Sequence, residues 1–140
     1  MERYRFLEHT ADAKFQAFGE TLEEAFGNAA LATAFLMWDW EEIHPEVEHE
    51  IEVKGKDLKQ LLSNFLEEII YLLDSRSFLL SSPDHIRIEK TESVYRLKAL
   101  FRGDNYSEKY KIYGDVKAIT YNEMEIERND RFKVQVVVDV

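Results

Sequence analysis

The stretch Met124-Glu125-Ile126-Glu127-Arg128-Asn129-Asp130-Arg131-Phe132-Lys133-Val134-Gln135-Val136-Val137-Val138 decides the fold. On both sides of its centre, apolar and polar residues alternate as they do in strands that bury one face. Asn129-Asp130 is a turn-forming pair, so these two strands are predicted to form a hairpin. A hairpin fixes antiparallel pairing, and the sheet that contains it is therefore predicted to be mainly antiparallel.

The same alternation predicts strands along most of the remaining chain. It is clearest in residues 47–54 and 95–101, and Thr91-Glu92-Ser93 predicts a second hairpin turn. With the hairpin above, the predicted strands are residues 4–7, 13–18, 47–54, 86–90, 95–101, 116–120, 124–128 and 132–138.

Two helices interrupt this series of strands. The first begins at Thr21, where Thr21 and Glu24 have the spacing of a capping box, and apolar residues then recur at helical intervals. The second begins at Asp57 as N-cap and has a broad apolar stripe from Leu58 to Leu73. Two principal helices packed on a mainly antiparallel sheet predict a two-layer α+β domain.

Composition predicts one folded domain over residues 1–140. The chain is 45% hydrophobic, and 18 basic against 28 acidic residues give a formal net charge of −10. A surface this acidic disfavours strong direct binding of RNA and favours a basic protein partner or cations. The absence of cysteine excludes disulfides and thiolate metal sites.

Targeting signals are also missing from the sequence. Met1-Glu2-Arg3-Tyr4-Arg5 opens on charged residues with no apolar stretch behind them, unlike a secretory signal. No apolar run is long enough to span a bilayer. The sequence therefore predicts a soluble cytoplasmic protein without membrane contact.

Asp139 is unusual because it closes an apolar strand, next to the carboxylate of Val140, with no basic residue nearby in sequence. Such a pair is either solvated or bound to a hard divalent cation, and Asp12 could supply a third carboxylate. From the residues alone, Asp12 can equally be a turn aspartate and Asp139 a solvated end residue. His9 has both a structural and a functional interpretation, and Lys117 reads first as a surface lysine.

Sequence motifs of enzymes are not found. The chain has no phosphate-binding G-x-x-x-x-G-K-[ST] loop, no G-x-G-x-x-G and no G-x-S-x-G elbow. Glu23-Glu24 and Glu67-Glu68 are adjacent helix residues, which diverge by about 100° and do not converge on one substrate. The protein is predicted not to be an enzyme.

Three blocks of sequence resemble the archease family, and together they cover the chain. The first is Glu8-His9-Thr10-Ala11-Asp12 with residues 19–32, the second is Val116-Lys117-Ala118-Ile119-Thr120-Tyr121 with Met124, and the third is Asp139-Val140. The second block departs from the family at Asn122, where many members carry histidine. An asparagine can keep a hydrogen-bonding role there but not a titrating one.

The resemblance implies a non-catalytic, metal-binding activator of the tRNA-splicing RNA ligase. Such a protein promotes guanylylation of the ligase histidine and multiple-turnover joining of tRNA exon halves, with GTP bound in the ligase active site. The metal ligands carried over are Asp12, Asp139 and Val140, and the candidates for contact with phosphate or partner are Lys117 and His9. Ca²⁺ is the first expectation for the ion, with Mg²⁺ or Mn²⁺ as alternatives.

Two other functions are weighed against this one. The first is a stand-alone metal-dependent hydrolase of small phosphate esters, in which the same carboxylates hold a cation that activates water. The second is a general chaperone-like adaptor for nucleic-acid enzymes.

Overall fold

The structure is a computed structural model that describes residues 2–140. Its strands are β1 (Tyr4–Leu7), β2 (Ala13–Gly19), β3 (Val47–Gly55), β4 (Phe78–Lys90), β5 (Tyr95–Asn105), β6 (Ala118–Arg128) and β7 (Phe132–Asp139). Its helices are α1 (Leu22–Phe35) and α2 (Leu58–Arg76), and a short 3-10 turn spans Trp40–Glu42. Within these residues, no helix is both long and apolar enough to cross a membrane.

All strand pairings are antiparallel, as the hairpin pattern predicts. The strands form a four-stranded sheet in the order β1-β2-β7-β6 and a three-stranded sheet in the order β3-β5-β4. The α+β class with two principal helices is confirmed. The division into two sheets differs from the single layer of sheet that the sequence pattern favours, because alternation identifies strands but not their partners.

Both helices contact strands of both sheets, and this explains their composition. Residues 25–34 of α1 are all buried, so this helix has almost no polar face. Helix α2 packs on β3 of one sheet and β6 of the other. The rings of Phe26 and Phe65 stack between the helices with centroids 6.2 Å apart. The two helices thus join the two sheets into one cluster of buried apolar residues.

The entries into the two helices are built in the same way. Asn28 in α1 donates its side-chain amide to the carbonyl of Phe18, which directly precedes Gly19, at 2.7 Å. Asn64 in α2 makes the equivalent bond to Lys54, which precedes Gly55, also at 2.7 Å.

The helix caps repeat as well. Thr21 Oγ1 accepts from the Glu24 amide at 3.1 Å, and Asp57 Oδ1 accepts from the Gln60 amide at 2.8 Å. The predicted N-caps are therefore correct, and each satisfies an amide that the helix leaves free.

Strands β4 and β6 depart most from the strands that the sequence predicts. Strand β4 continues through Pro83 because it lies at a sheet edge, where a missing N–H costs no ladder bond, and bulges absorb the irregularity. Strand β6 joins two predicted strands, 116–120 and 124–128, across a bulge between Thr120 and Glu125.

Candidate metal site at the rim of the four-stranded sheet

The pairing of β2 with β7 brings Asp12 and Asp139 to one rim. The outermost paired residues are Ala13 and Val138, so Asp12 directly precedes one and Asp139 directly follows the other. Asp12 lies in a bend just before β2, outside the ladder, so the pairing brings both aspartates to the same rim without making them a ladder pair.

Strand β6 brings Lys117 to the same rim. Ala118 pairs with Asp139, and the Lys117 amide donates to the Asp139 carbonyl at 2.7 Å. The side chain of Lys117 is exposed. Glu67 of α2 accepts from the Ile119 amide at 3.3 Å, which ties the start of β6 to the helix. Val140 follows Asp139 and is also exposed.

His9 lies in a neighbouring cleft, in contact with a residue from the bulge of β6. Its Nε2 is 2.9 Å from one carboxylate oxygen of Glu123, while Lys14 Nζ donates to the other at 3.0 Å. His9 Nδ1 is buried and has no hydrogen-bond partner among residues 2–140. Glu8, Thr10 and these three residues line an open cleft of about 660 Å³.

Glu123 thereby pairs with His9 and Lys14 in the neighbouring cleft, while Lys117 is the basic residue that β6 brings to the rim. Within residues 2–140, the carboxylates of Asp12 and Asp139 form neither an ion pair nor a hydrogen bond. Two uncompensated carboxylates at one rim are a donor set that suits a hard divalent cation, which prefers oxygen ligands. Across the same residues, no group of three or more His, Asp or Glu side chains is arranged to hold a metal. The candidate set contains only two such side chains, those of Asp12 and Asp139.

Sequence reasoning missed Glu123 and Lys14. The signal available was spacing: Ile119 and Met124 are both buried, yet five positions apart they would lie on opposite faces of a regular strand. A bulge resolves this conflict, and Glu123 adopts a left-handed backbone with φ 54°. Asn122, beside it, is exposed.

We expect the stability of Glu123→Gln to fall less steeply at acidic pH than the stability of the unmodified protein. The hydrogen bond from His9, followed by that from Lys14, lowers the pKa of Glu123 below its ordinary value of 4.5. A lowered carboxyl pKa in the folded state adds stability above the unfolded pKa, and this is lost as pH falls through the folded pKa. Thermal melts between about pH 7 and about pH 3 should fall less steeply below about pH 4.5 in the variant.

The matched control is Glu92→Gln, which removes an exposed carboxylate in the turn between β4 and β5. It should lose stability at acidic pH as steeply as the unmodified protein does. If Glu123→Gln also lost stability that steeply, the result would contradict the assigned coupling of His9, Lys14 and Glu123.

Comparison with known proteins agrees with this fold. The sequence model of the Archease protein family matches residues 4–140. "Protein archease" of Methanosarcina mazei is 40% identical over 99% of this chain and 97% of its own length. "Protein archease" of Pyrobaculum neutrophilum is 44% identical over 98% of this chain and 95% of its own. The solution structure of Methanobacterium thermoautotrophicum protein 1598 superposes with a TM-score of 0.85 at 30% identity, covering 100% of both chains.

The fold, the whole-chain family match and relatives at this identity define the class of protein. The chain belongs to the archease family, as the three sequence blocks predict.

Proposed function

We propose that this protein is a non-catalytic, metal-binding activator of the RNA ligase that joins tRNA exon halves, acting in the cytoplasm. It promotes guanylylation of the ligase histidine and repeated turnover, with GTP bound by the ligase. The observation that supports the proposal is the register of β2 and β7, which brings the strand ends next to Asp12 and Asp139 to one rim of the sheet. Membership of the archease family supports it further.

In this proposal, Asp12, Asp139 and an oxygen of Val140 hold one divalent cation, with Ca²⁺ as the first choice and Mg²⁺ or Mn²⁺ as alternatives. Three protein oxygens leave several of the usual six to eight positions around Ca²⁺ for water or for oxygens of a partner. A bound cation supplies positive charge to phosphate oxygens. An exposed rim is a suitable place for such a cation, because a partner can approach it directly with its own oxygen ligands.

Lys117 adds a positive group beside this rim. Its amide is fixed on the Asp139 carbonyl, so its side chain starts from a defined position. A lysine ammonium binds phosphate as a point charge, which fits contact with the nucleotide in the ligase site. His9 is the second contact candidate, held by Glu123 at the neighbouring cleft.

The charge of the whole chain favours action through the ligase. Because the protein has a net charge of −10, it repels the phosphate backbone of RNA. An acidic protein can nevertheless approach a basic RNA-binding enzyme, where opposite charges speed the encounter.

Reconstitution with the ligase of the same organism tests the proposal. The ligase, GTP, a divalent metal and tRNA halves are combined with and without the protein, and both guanylylated ligase and joined tRNA are measured. We expect a higher guanylylated fraction and continued joining beyond one turnover when the protein is present. The protein alone should show no turnover of RNA, nucleotides or small phosphate esters.

Two results would favour the other functions. Metal-dependent hydrolysis of a phosphate ester by the purified protein, lost in His9→Ala, would indicate a hydrolase. Equal stimulation by an inert carrier protein would indicate general stabilisation of the ligase and not specific activation.

A further inference from the structure

A patch of exposed aromatic side chains lies where the four-stranded sheet ends at β1. Phe6 of β1, Phe35 at the end of α1 and Tyr113 are 39%, 38% and 50% exposed. The rings of Phe6 and Phe35 stack with centroids 6.3 Å apart, and Tyr113 meets Phe35 edge-on at 6.4 Å. Tyr4 joins the group, 5.6 Å from Phe6. We call Tyr4, Phe6, Phe35 and Tyr113 the aromatic patch.

The aromatic patch is held in place by the backbone around it. Tyr113 donates its amide to the Met37 carbonyl at 2.9 Å, and its hydroxyl donates to the Phe35 carbonyl. Trp40 donates its indole N–H to the Tyr4 hydroxyl at 3.0 Å. Exposed rings that are fixed before binding lose little conformational entropy when a partner covers them.

Negative charge borders the aromatic patch on one side. Asp39, Glu41 and Glu42 lie on and beside the 3-10 turn, and none of them forms an ion pair within residues 2–140. The hydrogen bond from Trp40 to Tyr4 joins this acidic turn to the patch. Burial and, after it, the charge of Asp39 raise the pKa of the Tyr113 hydroxyl. Helix α1 also ends here with no basic residue in its last turn, so its negative dipole end is uncompensated.

Strand β1 adds a backbone edge that no other strand of residues 2–140 pairs with. It pairs with β2 on one side and is the outer strand of its sheet on the other. Such an edge can accept an extended segment of another chain as an added strand. β1 is also only four residues long, so an added segment would pair briefly and depend on side-chain contacts.

We propose that the aromatic patch and the β1 edge bind an extended, arginine-bearing segment of a protein partner. Guanidinium groups stack on aromatic faces and form bidentate ion pairs with carboxylates. Arginine therefore suits both the aromatic rings of this surface and the carboxylates that border them. The chain already contains this contact internally, since the Arg3 guanidinium lies 5.4 Å from the centre of the Trp40 ring. The same carboxylates disfavour RNA as the occupant of the aromatic rings.

This binding surface is separate from the candidate metal site. Strand β2 lies between β1 and β7, which carries Asp139. The proposal therefore stands or falls independently of the activator function.

The test uses a synthetic peptide in which arginine and threonine alternate, titrated into the full ¹⁵N-labelled protein. We expect saturable amide shifts in β1, at Phe35 and at Tyr113, and none with a peptide in which glutamate replaces arginine. The double variant Glu41→Gln/Glu42→Gln should bind the arginine peptide about tenfold more weakly or worse, because exposed carboxylates are lost while the rings remain. Phe35→Ala should weaken binding similarly.

Matched controls come from residues outside the aromatic patch and the 3-10 turn. Tyr71→Ala removes an exposed ring on α2, and Glu92→Gln removes an exposed carboxylate, and both should bind as the unmodified protein does. Binding unchanged in Glu41→Gln/Glu42→Gln, absence of arginine-peptide binding, or equal shifts with single-stranded oligouridine would each overturn the proposal.

Discussion

Replacing either Asp12 or Asp139 by alanine is expected to abolish stimulation of the ligase while leaving the protein folded. Each variant removes one of the two carboxylates proposed as ligands, so the remaining oxygens are too few to hold a divalent cation. Neither side chain bonds to another part of the described chain, so truncation should change the free energy of unfolding by about 0.5 kcal/mol or less. Ligation assays and thermal melts on the same preparations measure both effects.

The control for this pair is Asp74→Ala, which removes an exposed carboxylate from α2, away from the rim. It should stimulate the ligase fully. Calcium titration by calorimetry adds a direct measurement, since binding heat should disappear in both rim variants and persist in the control. Rim variants that unfold together with their loss of activity would show that these carboxylates are structural.

Gly103→Ala is expected to destabilise the protein strongly. A Cβ at this position would lie 1.9 Å from the Leu79 carbonyl oxygen and 2.9 Å from the Phe78 ring. The oxygen belongs to the backbone of β4, so β4 and β5 must separate to make room. We expect a loss of about 3 kcal/mol in the free energy of unfolding, and a melting temperature lower by about 10 °C.

Gly27→Ala in α1 provides the comparison. Its added methyl would meet the far end of the Ile86 side chain at 3.0 Å, which can rotate away. Alanine also favours a helix over glycine by about 0.5–1 kcal/mol, so this variant should be as stable as the unmodified protein or more so. If Gly103→Ala had the same melting temperature as Gly27→Ala, this would show that β4 and β5 can separate at little energetic cost.

Local signals in the sequence predicted most of the elements. Thr21 and Asp57 cap the helices as expected because capping depends only on residues within one turn. The turns at 91–93 and 129–130 follow from their own residues. Strand β4 was only partly predicted, since Pro83 and two bulges hide its first half from any pattern of alternation.

The candidate site depends on pairing between distant segments, which no local pattern reveals. Asp12 and Asp139 lie at one rim because β2 and β7 are neighbours, although they stand near opposite ends of the sequence. Only the resemblance to archeases indicated that they belong together. Lys14 was missed for the same reason, since its partner Glu123 reaches it through a bulge whose position depends on packing.

The matching entries into α1 and α2 have a consequence for how each helix is fixed on its sheet. Strand, glycine, capping residue, leucine and a helix asparagine recur in the same order, and both asparagines reach back over ten positions to a strand carbonyl. Each helix is therefore held at its start by two side-chain contacts, one from the cap to the helix and one from the helix to the strand before it. The direction in which both helices leave their sheets is thus set locally, within a dozen residues of sequence.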